Sequence, residues 1–215
     1  MKVLVVGATG RVARFLIQSL LEKGHSVTAA ARNPEKIKPF EDTSRLSTVQ
    51  LDLHDSVEDL AQTLKGYEAV YFVAGSRGKD LLQTDAFGAV KLMQASENMG
   101  IKRFLLLSSM FATNPEKWSD PALQGIMNYN IAKFFADEWL IHNTQLDYTI
   151  VQPGSLVEAE QGTGKIEIDP AVSQPNSIPN VAEVLAQALE EPRTIGTIIR
   201  MSDGQTPISQ ALAAL

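Results

Sequence analysis

Short apolar runs alternate with amphipathic stretches along the whole chain. The runs lie at 3–6, 26–31, 47–51, 69–73, 104–107, 148–151 and 197–201. Most are near-continuous rather than alternating in and out, as strands buried on both faces of a parallel sheet should be. Between them the spacing predicts helices. Val12, Phe15, Leu16, Ser19 and Leu20 form one apolar face, with Gly24 as a stop. Leu82, Ala86, Ala89 and Met93 form a second, ending at Gly100, and Tyr129, Ala132, Ala136 and Leu140 a third. Val181, Val184, Leu185, Ala188 and Leu189 form a fourth, with Glu183, Gln187 and Glu190 facing outward. A short closing helix is expected over 207–215, with Pro207 in its first turn. Strand–helix–strand repetition implies an α/β protein with a Rossmann-type doubly wound parallel sheet, about seven strands with helices on both faces, in one domain spanning 1–215. Two irregular segments, 111–127 and 154–179, follow strand ends and are expected to wall a substrate cleft.

The first strand runs into Gly7-Ala8-Thr9-Gly10-Arg11-Val12-Ala13. A tight strand-to-helix turn needs glycine, and so does close approach of backbone to a pyrophosphate at a helix N-terminus. The spacing is G-x-x-G-x-x-A, with Ala13 small enough for helix and sheet to pack closely. Gly7, Thr9, Gly10, Arg11 and Val12 are therefore expected to touch a dinucleotide. The second strand ends in Arg32 and Asn33, with no acid at 30–33 to accept a ribose 2′-hydroxyl. An arginine there suits a 2′-phosphate, so NADP(H) is expected to be preferred over NAD(H), with Arg11 and Lys36 as helpers. Asp52-Leu53 follows the third strand. It suits an adenine amino group and ring face, or alternatively caps the next helix. Ala74-Gly75-Ser76 follows the fourth strand and suits backbone approach to a ribose, and Arg77 and Lys79 nearby could touch phosphate.

Tyr129 and Lys133 share a helix face at i and i+4. A phenol is a weak acid, and a nearby ammonium stabilises its phenolate. Such a pair can give a proton to a carbonyl oxygen while hydride reaches the carbon, or take one in reverse, and the lysine can also hold ribose hydroxyls.

Composition narrows the options. The 215 residues carry 19 basic and 25 acidic side chains, a net charge of −6, and no cysteine. This balance disfavours a nucleic-acid partner, and the missing cysteines exclude disulfides, thiolate nucleophiles and zinc–thiolate sites. No apolar run approaches a membrane span or a signal peptide. A cytoplasmic protein, monomeric or weakly dimeric through the Phe134, Phe135 and Trp139 helix, is expected. His25, His54 and His142 lack ligand spacing, so no metal is expected. The pairs Glu41-Asp42 and Glu190-Glu191 read as solvated charges.

The ordered set Gly7-Ala8-Thr9-Gly10-Arg11-Val12, Ser108-Ser109, Tyr129-x-x-x-Lys133 and Pro153-Gly154 resembles the short-chain dehydrogenase/reductase superfamily. The short C-terminal region and the G-x-x-G-x-x-A turn are most similar to its atypical branch, the small bacterial NAD(P)H-binding proteins of NmrA-like and flavin/biliverdin-reductase-like type. The resemblance implies that Ser109, or Ser108, binds the substrate carbonyl, that Tyr129 is the acid/base, and that Lys133 positions the ribose and tunes the tyrosine. Pro153, Gly154 and Ser155 would border the nicotinamide, and Leu156 and Val157 would begin a flap. Asp85 falls where classical members use an asparagine to complete a proton relay, which puts that relay in doubt. The expected function is an NADPH-dependent oxidoreductase acting on a small carbonyl, quinone or similar conjugated compound. The alternatives are a catalytically weak NADP(H) sensor and a nucleotide-sugar epimerase or dehydratase.

Overall fold

The structure, a computed structural model, describes residues 1–40 and 43–215; the acidic pair Glu41-Asp42 lies outside them. Strand β1 (Lys2–Val6) leads into α1 (Arg11–Glu22), followed by β2 (Ser26–Ala31), β3 (Leu46–Gln50), α2 (Val57–Thr63) and β4 (Ala69–Phe72). A π-helical segment, Leu81–Phe87, continues directly into α3 (Gly88–Asn98). Then come β5 (Arg103–Leu107), α4 (Met127–Asn143), β6 (Asp147–Pro153), β7 (Ser155–Val157), β8 (Lys165–Ile168), β9 (Pro175–Ser177), α5 (Ile178–Ala188), β10 (Thr197–Asp203), β11 (Thr206–Pro207) and α6 (Ile208–Ala213).

The main sheet runs β11-β8-β10-β6-β5-β4-β1-β2-β3. From β3 to β10 all neighbours are parallel, and these are the seven strands expected from the apolar runs. Antiparallel β8 and β11 extend the sheet beyond β10. Strands buried on both faces explain the near-continuous apolar runs. Val3, Val5, Tyr71, Leu105 and Val151 face one core with α1, α5 and α6. Leu4, Val6, Phe72, Phe104 and Ile150 face the other, with α2, α3 and α4. The chain proceeds from β1 outward through β2 to β3, then returns to place β4 on the opposite side of β1. Two loops therefore diverge above β1 and β4, and ligands of doubly wound folds bind in that opening.

Three local expectations need correction. Leu82 does not join the apolar face of its helix; it is 74% exposed, while Asp85 is fully buried. The segment is π-helical, and its wider turn takes up more residues than an α-turn. The 3.6-residue register is lost just upstream of α3. Segment 154–179 is not simply irregular, because it holds β7, β8 and β9, with β7 and β9 paired as a small parallel sheet. Asp203 secures that segment by accepting from Asn176, Asn180 and the main chain and hydroxyl of Ser177. Pro207 belongs to β11, so the closing helix begins at Ile208.

Candidate functional site

The β1–β4 divergence opens into a cleft of about 620 Å³. The glycine turn forms its floor. Gly7 adopts φ +95°, and a Cβ there would lie 2.5 Å from Cα of Ala74. Only glycine lets the β1 turn pass so close to the chain leaving β4. Gly10 has ordinary extended φ, but a Cβ would sit 3.0 Å from the Gly7 carbonyl, to which the Gly10 N–H donates at 2.9 Å. Ala13 is fully buried, as its small size in the third position anticipates. Gly10, at the N-cap of α1, has no side chain to cap the helix, and the first turn holds no acid. That end presents main-chain N–H groups and a partial positive charge suited to an anion.

Around this floor the cleft is lined by Gly7, Thr9, Gly10, Arg11, Val12, Arg32, Asp52, Leu53, Ala74, Gly75, Ser76, Tyr129 and Lys133. These are most of the positions singled out by sequence. Arg32 is exposed at the cleft rim. Arg11 is paired with Glu158 at 2.7 Å, an exposed contact tying the segment after β7 to the start of α1. Asp52 accepts from the His54 N–H at 3.0 Å, and Ser56 is the residue that caps α2. The capping reading of Asp52 is thereby replaced by a turn within its own loop. From sequence, His54 was weighed only as a metal ligand, and Asp80 and Thr84 were not singled out. They form a small cluster at the cleft edge, with Asp80 bonded to His54 at 2.7 Å and to Thr84 at 2.6 Å. The Thr84 and His54 contacts hold the Asp80 carboxyl below its ordinary pKa. Asp80 and Thr84 are local neighbours at the start of the π-helical segment, and the fold brings His54 to them from the loop after β3.

The remaining candidates lie elsewhere. Asn33 starts the turn at Pro34–Lys36, outside the cleft lining. Gly154 and Pro153 are buried, and Ser155 is exposed on β7. Gly154 is required for a structural reason, since a Cβ would run into the main chain of Gln174. Leu156 is the lining residue that segment 154–179 supplies, and 111–127 supplies none. That second segment instead packs Phe111 and Leu123 with Met110, and Trp118 lies edge-on against Phe134 of α4. Ser108 donates to Asp137 at 2.7 Å, and Ser109 to Asn130 at 2.9 Å. Both serine hydroxyls are directed into the body of the protein.

Tyr129 and Lys133 open into the cleft from α4. Lys133 is buried, donates to the Leu107 carbonyl at 2.9 Å, and has its ammonium 5.6 Å from the centre of the Tyr129 ring. Burial raises the Tyr129 phenol above its ordinary pKa; Lys133 pulls it down, and Asp85 and Asp137 add to the rise. Burial thus outweighs the lysine, which the sequence suggested would lower the phenol. Asp85 accepts from the Ser76 N–H at 3.0 Å, and among the described residues its second, buried oxygen has no partner. Among the described residues no acidic or histidine cluster could hold a metal, and no helix is long and apolar enough to cross a membrane.

A cleft of this form, at the switch point of a doubly wound sheet, defines a dinucleotide-binding Rossmann protein. Residues 7–192 match the NAD(P)H-binding family, and the chain belongs to it. It is 33% identical to the UPF0659 protein YMR090W of Saccharomyces cerevisiae over 228 residues, covering 100% of this chain and 99% of the relative. It is 32% identical to the uncharacterized sugar epimerase YhfK of Bacillus subtilis, covering 100% of both. Among solved structures, the oxidoreductase ylbE of Lactococcus lactis superposes with a TM-score of 0.95 at 42% identity, over 100% of this chain and 96% of that one. These relationships accord with the resemblance to atypical short-chain dehydrogenases/reductases.

Proposed function

We propose that the protein is an NADPH-dependent oxidoreductase that reduces a small carbonyl, quinone or similar conjugated compound. The observation that carries this reading is the meeting of a Tyr–Lys pair and a glycine turn in one cleft. The fit to a dinucleotide rests on the cradle described above: side chains are excluded at Gly7, and the α1 N-terminus carries no cap. The turn and the start of α1 would hold the pyrophosphate. Arg32 would meet the 2′-phosphate, Asp52 and Leu53 the adenine, and Ala74, Gly75 and Ser76 a ribose. Lys133 would hold the nicotinamide ribose. Bound there, the reduced nicotinamide supplies hydride.

Tyr129 would give its hydroxyl proton to the substrate oxygen. A phenol is protonated at neutrality, the state a donor must start from, and burial raises it further. Lys133 acts against burial and lowers the cost of the phenolate left after donation. Ser109 could bind the substrate oxygen only by releasing Asn130. The absence of cysteine suits a reducing compartment, so we place the reaction in the cytoplasm. The structural neighbour described as an oxidoreductase supports the class of reaction.

The Bacillus relative's description favours a second reading, a redox-neutral epimerisation. Incubation of the purified protein with NADPH and a panel of aldehydes, ketones and quinones, and separately with NADP⁺ and a panel of sugar nucleotides, separates the two. Stoichiometric loss of NADPH supports the reductase. Epimerised sugar nucleotide without net cofactor loss supports the epimerase. Tight NADPH binding with neither outcome supports a sensor.

A further inference from the structure

Tyr129, Lys133 and Asp137 follow one another at four-residue intervals along α4. The first two reach the cleft, whereas Asp137 lies in the core with 0% exposure. One oxygen of Asp137 accepts from Ser108 at 2.7 Å and from Gln152 at 2.9 Å. Among the described residues its other oxygen has no partner, and neither does the side-chain oxygen of Gln152. Two bare acceptors in one buried network are costly, and a proton on the carboxyl turns one of them into a donor. Just past the end of β5 the group facing Asp137 is the neutral Ser108, which adjoins Ser109. From β6 it is the neutral Gln152, which also donates to Thr113. The charges acting on it come from α4 itself, Lys133 one turn earlier and Glu138 beside it. Across the site, Asp85 of the π-helical segment acts on Tyr129 as well.

We propose that Asp137 is a positioning residue for the reduction: by gaining or losing a proton inside the core it sets the field beneath Lys133 and Tyr129, and so governs how readily Tyr129 gives up its proton. This inference rests on the reading of Tyr129 as proton donor. Burial pushes the Asp137 carboxyl up to about 7, against the pull of Ser108, Gln152 and Lys133, so the group changes charge within the working range. Neutral Asp137 leaves the Lys133 charge free to stabilise the phenolate. Anionic Asp137 offsets that charge and holds the phenol proton more tightly. Reduction should therefore slow as pH rises through neutrality.

Asp137→Asn keeps an acceptor for Ser108 and Gln152 but cannot ionise. In the wild type, kcat for carbonyl reduction should fall along a limb centred near pH 7; in Asp137→Asn that limb should be absent. A merely structural role would lower the rate without removing the limb. A second measurement needs no turnover. The phenolate absorbance of Tyr129, isolated by subtracting Tyr129→Phe, should appear about one pH unit lower in Asp137→Asn than in the wild type. An unshifted phenol titration, or an unchanged limb, overturns the proposal. A shifted titration with no carbonyl reduction in any variant would instead retain the field of Asp137 and overturn the reductase reading. Should Asp137→Asn fail to fold, carbon-13 titration of the wild-type aspartate carboxyls decides. One midpoint near neutrality supports the proposal, and all midpoints in the ordinary carboxylate range overturn it.

Discussion

The Lys133 ammonium lies 5.6 Å from the centre of the Tyr129 ring and 5.5 Å from that of Phe72, and it is tethered to the Leu107 carbonyl at 2.9 Å. The last carbonyl of β5 thus fixes the height of the lysine on α4. A buried ammonium with one carbonyl partner retains two N–H groups for other acceptors. In the proposed complex these are the ribose hydroxyls. Lys133→Ala should therefore weaken NADPH binding and slow turnover together. Fluorescence titration and steady-state kinetics on the same variant would check this, and a loss confined to one of the two would contradict it.

Arg32 stands at the cleft rim, and no acid stands at 30–33. NADPH should bind more tightly than NADH. Arg32→Ala should narrow the difference by about 1–3 kcal/mol, the worth of a charge-assisted hydrogen bond. Calorimetric titration with both dinucleotides measures it. Equal affinities in the unmutated protein would remove the basis for NADP selectivity.

The two turn glycines should behave differently. Gly7 combines positive φ with backbone contact to Ala74, so Gly7→Ala should lower stability by more than about 2 kcal/mol. Gly10 has a φ open to any residue, and its Cβ would press only on the Gly7 carbonyl. Gly10→Ala should cost about 1 kcal/mol or less in stability yet weaken NADPH binding, because the turn itself is displaced. Urea melts paired with NADPH titrations would show the contrast.

The buried Asp137 also links stability to pH. Its folded pKa, about 7, lies above the ordinary carboxylate value, so the fold holds this proton more tightly than the unfolded chain does. That contribution is fully present below the ordinary carboxylate range and is lost as pH climbs through about 7. Asp137→Asn should accordingly raise Tm relative to wild type more at pH 8 than at pH 5. An equal change at both values would mean that Asp137 does not bind a proton in the fold.

Much of this architecture was legible because buried parallel strands read as near-continuous apolar runs, as β1, β4 and β5 do, whereas β3 at the sheet edge is half polar and largely exposed. Residues 7–10 and the Tyr129–Lys133 pair were legible because each is a local pattern with a local cause. The additions near β10 were not. β7, β9 and β11 are two or three residues long and carry no apolar period. β9 and the start of α5 are held by Asp203, which gathers Asn176, Ser177 and Asn180 from distant sequence, and β7 then pairs with β9. The burial of Asp85 was masked by a π-helical register that a 3.6-residue period cannot express. Asp137 was invisible for a different reason: a helical aspartate ordinarily reads as solvated, and only the packing of β5 and β6 against α4 encloses it.

Proton donation by Tyr129 is tested most directly by Tyr129→Phe, which removes a hydroxyl and keeps the ring. NADPH affinity should remain near wild type, because the turn, Arg32 and Lys133 are untouched. The rate of NADPH oxidation with the best carbonyl substrate should fall by roughly 10²–10⁴-fold, the usual worth of a positioned general acid. A variant that binds NADPH normally and reduces that carbonyl at the wild-type rate would contradict the assignment of Tyr129 as the proton donor.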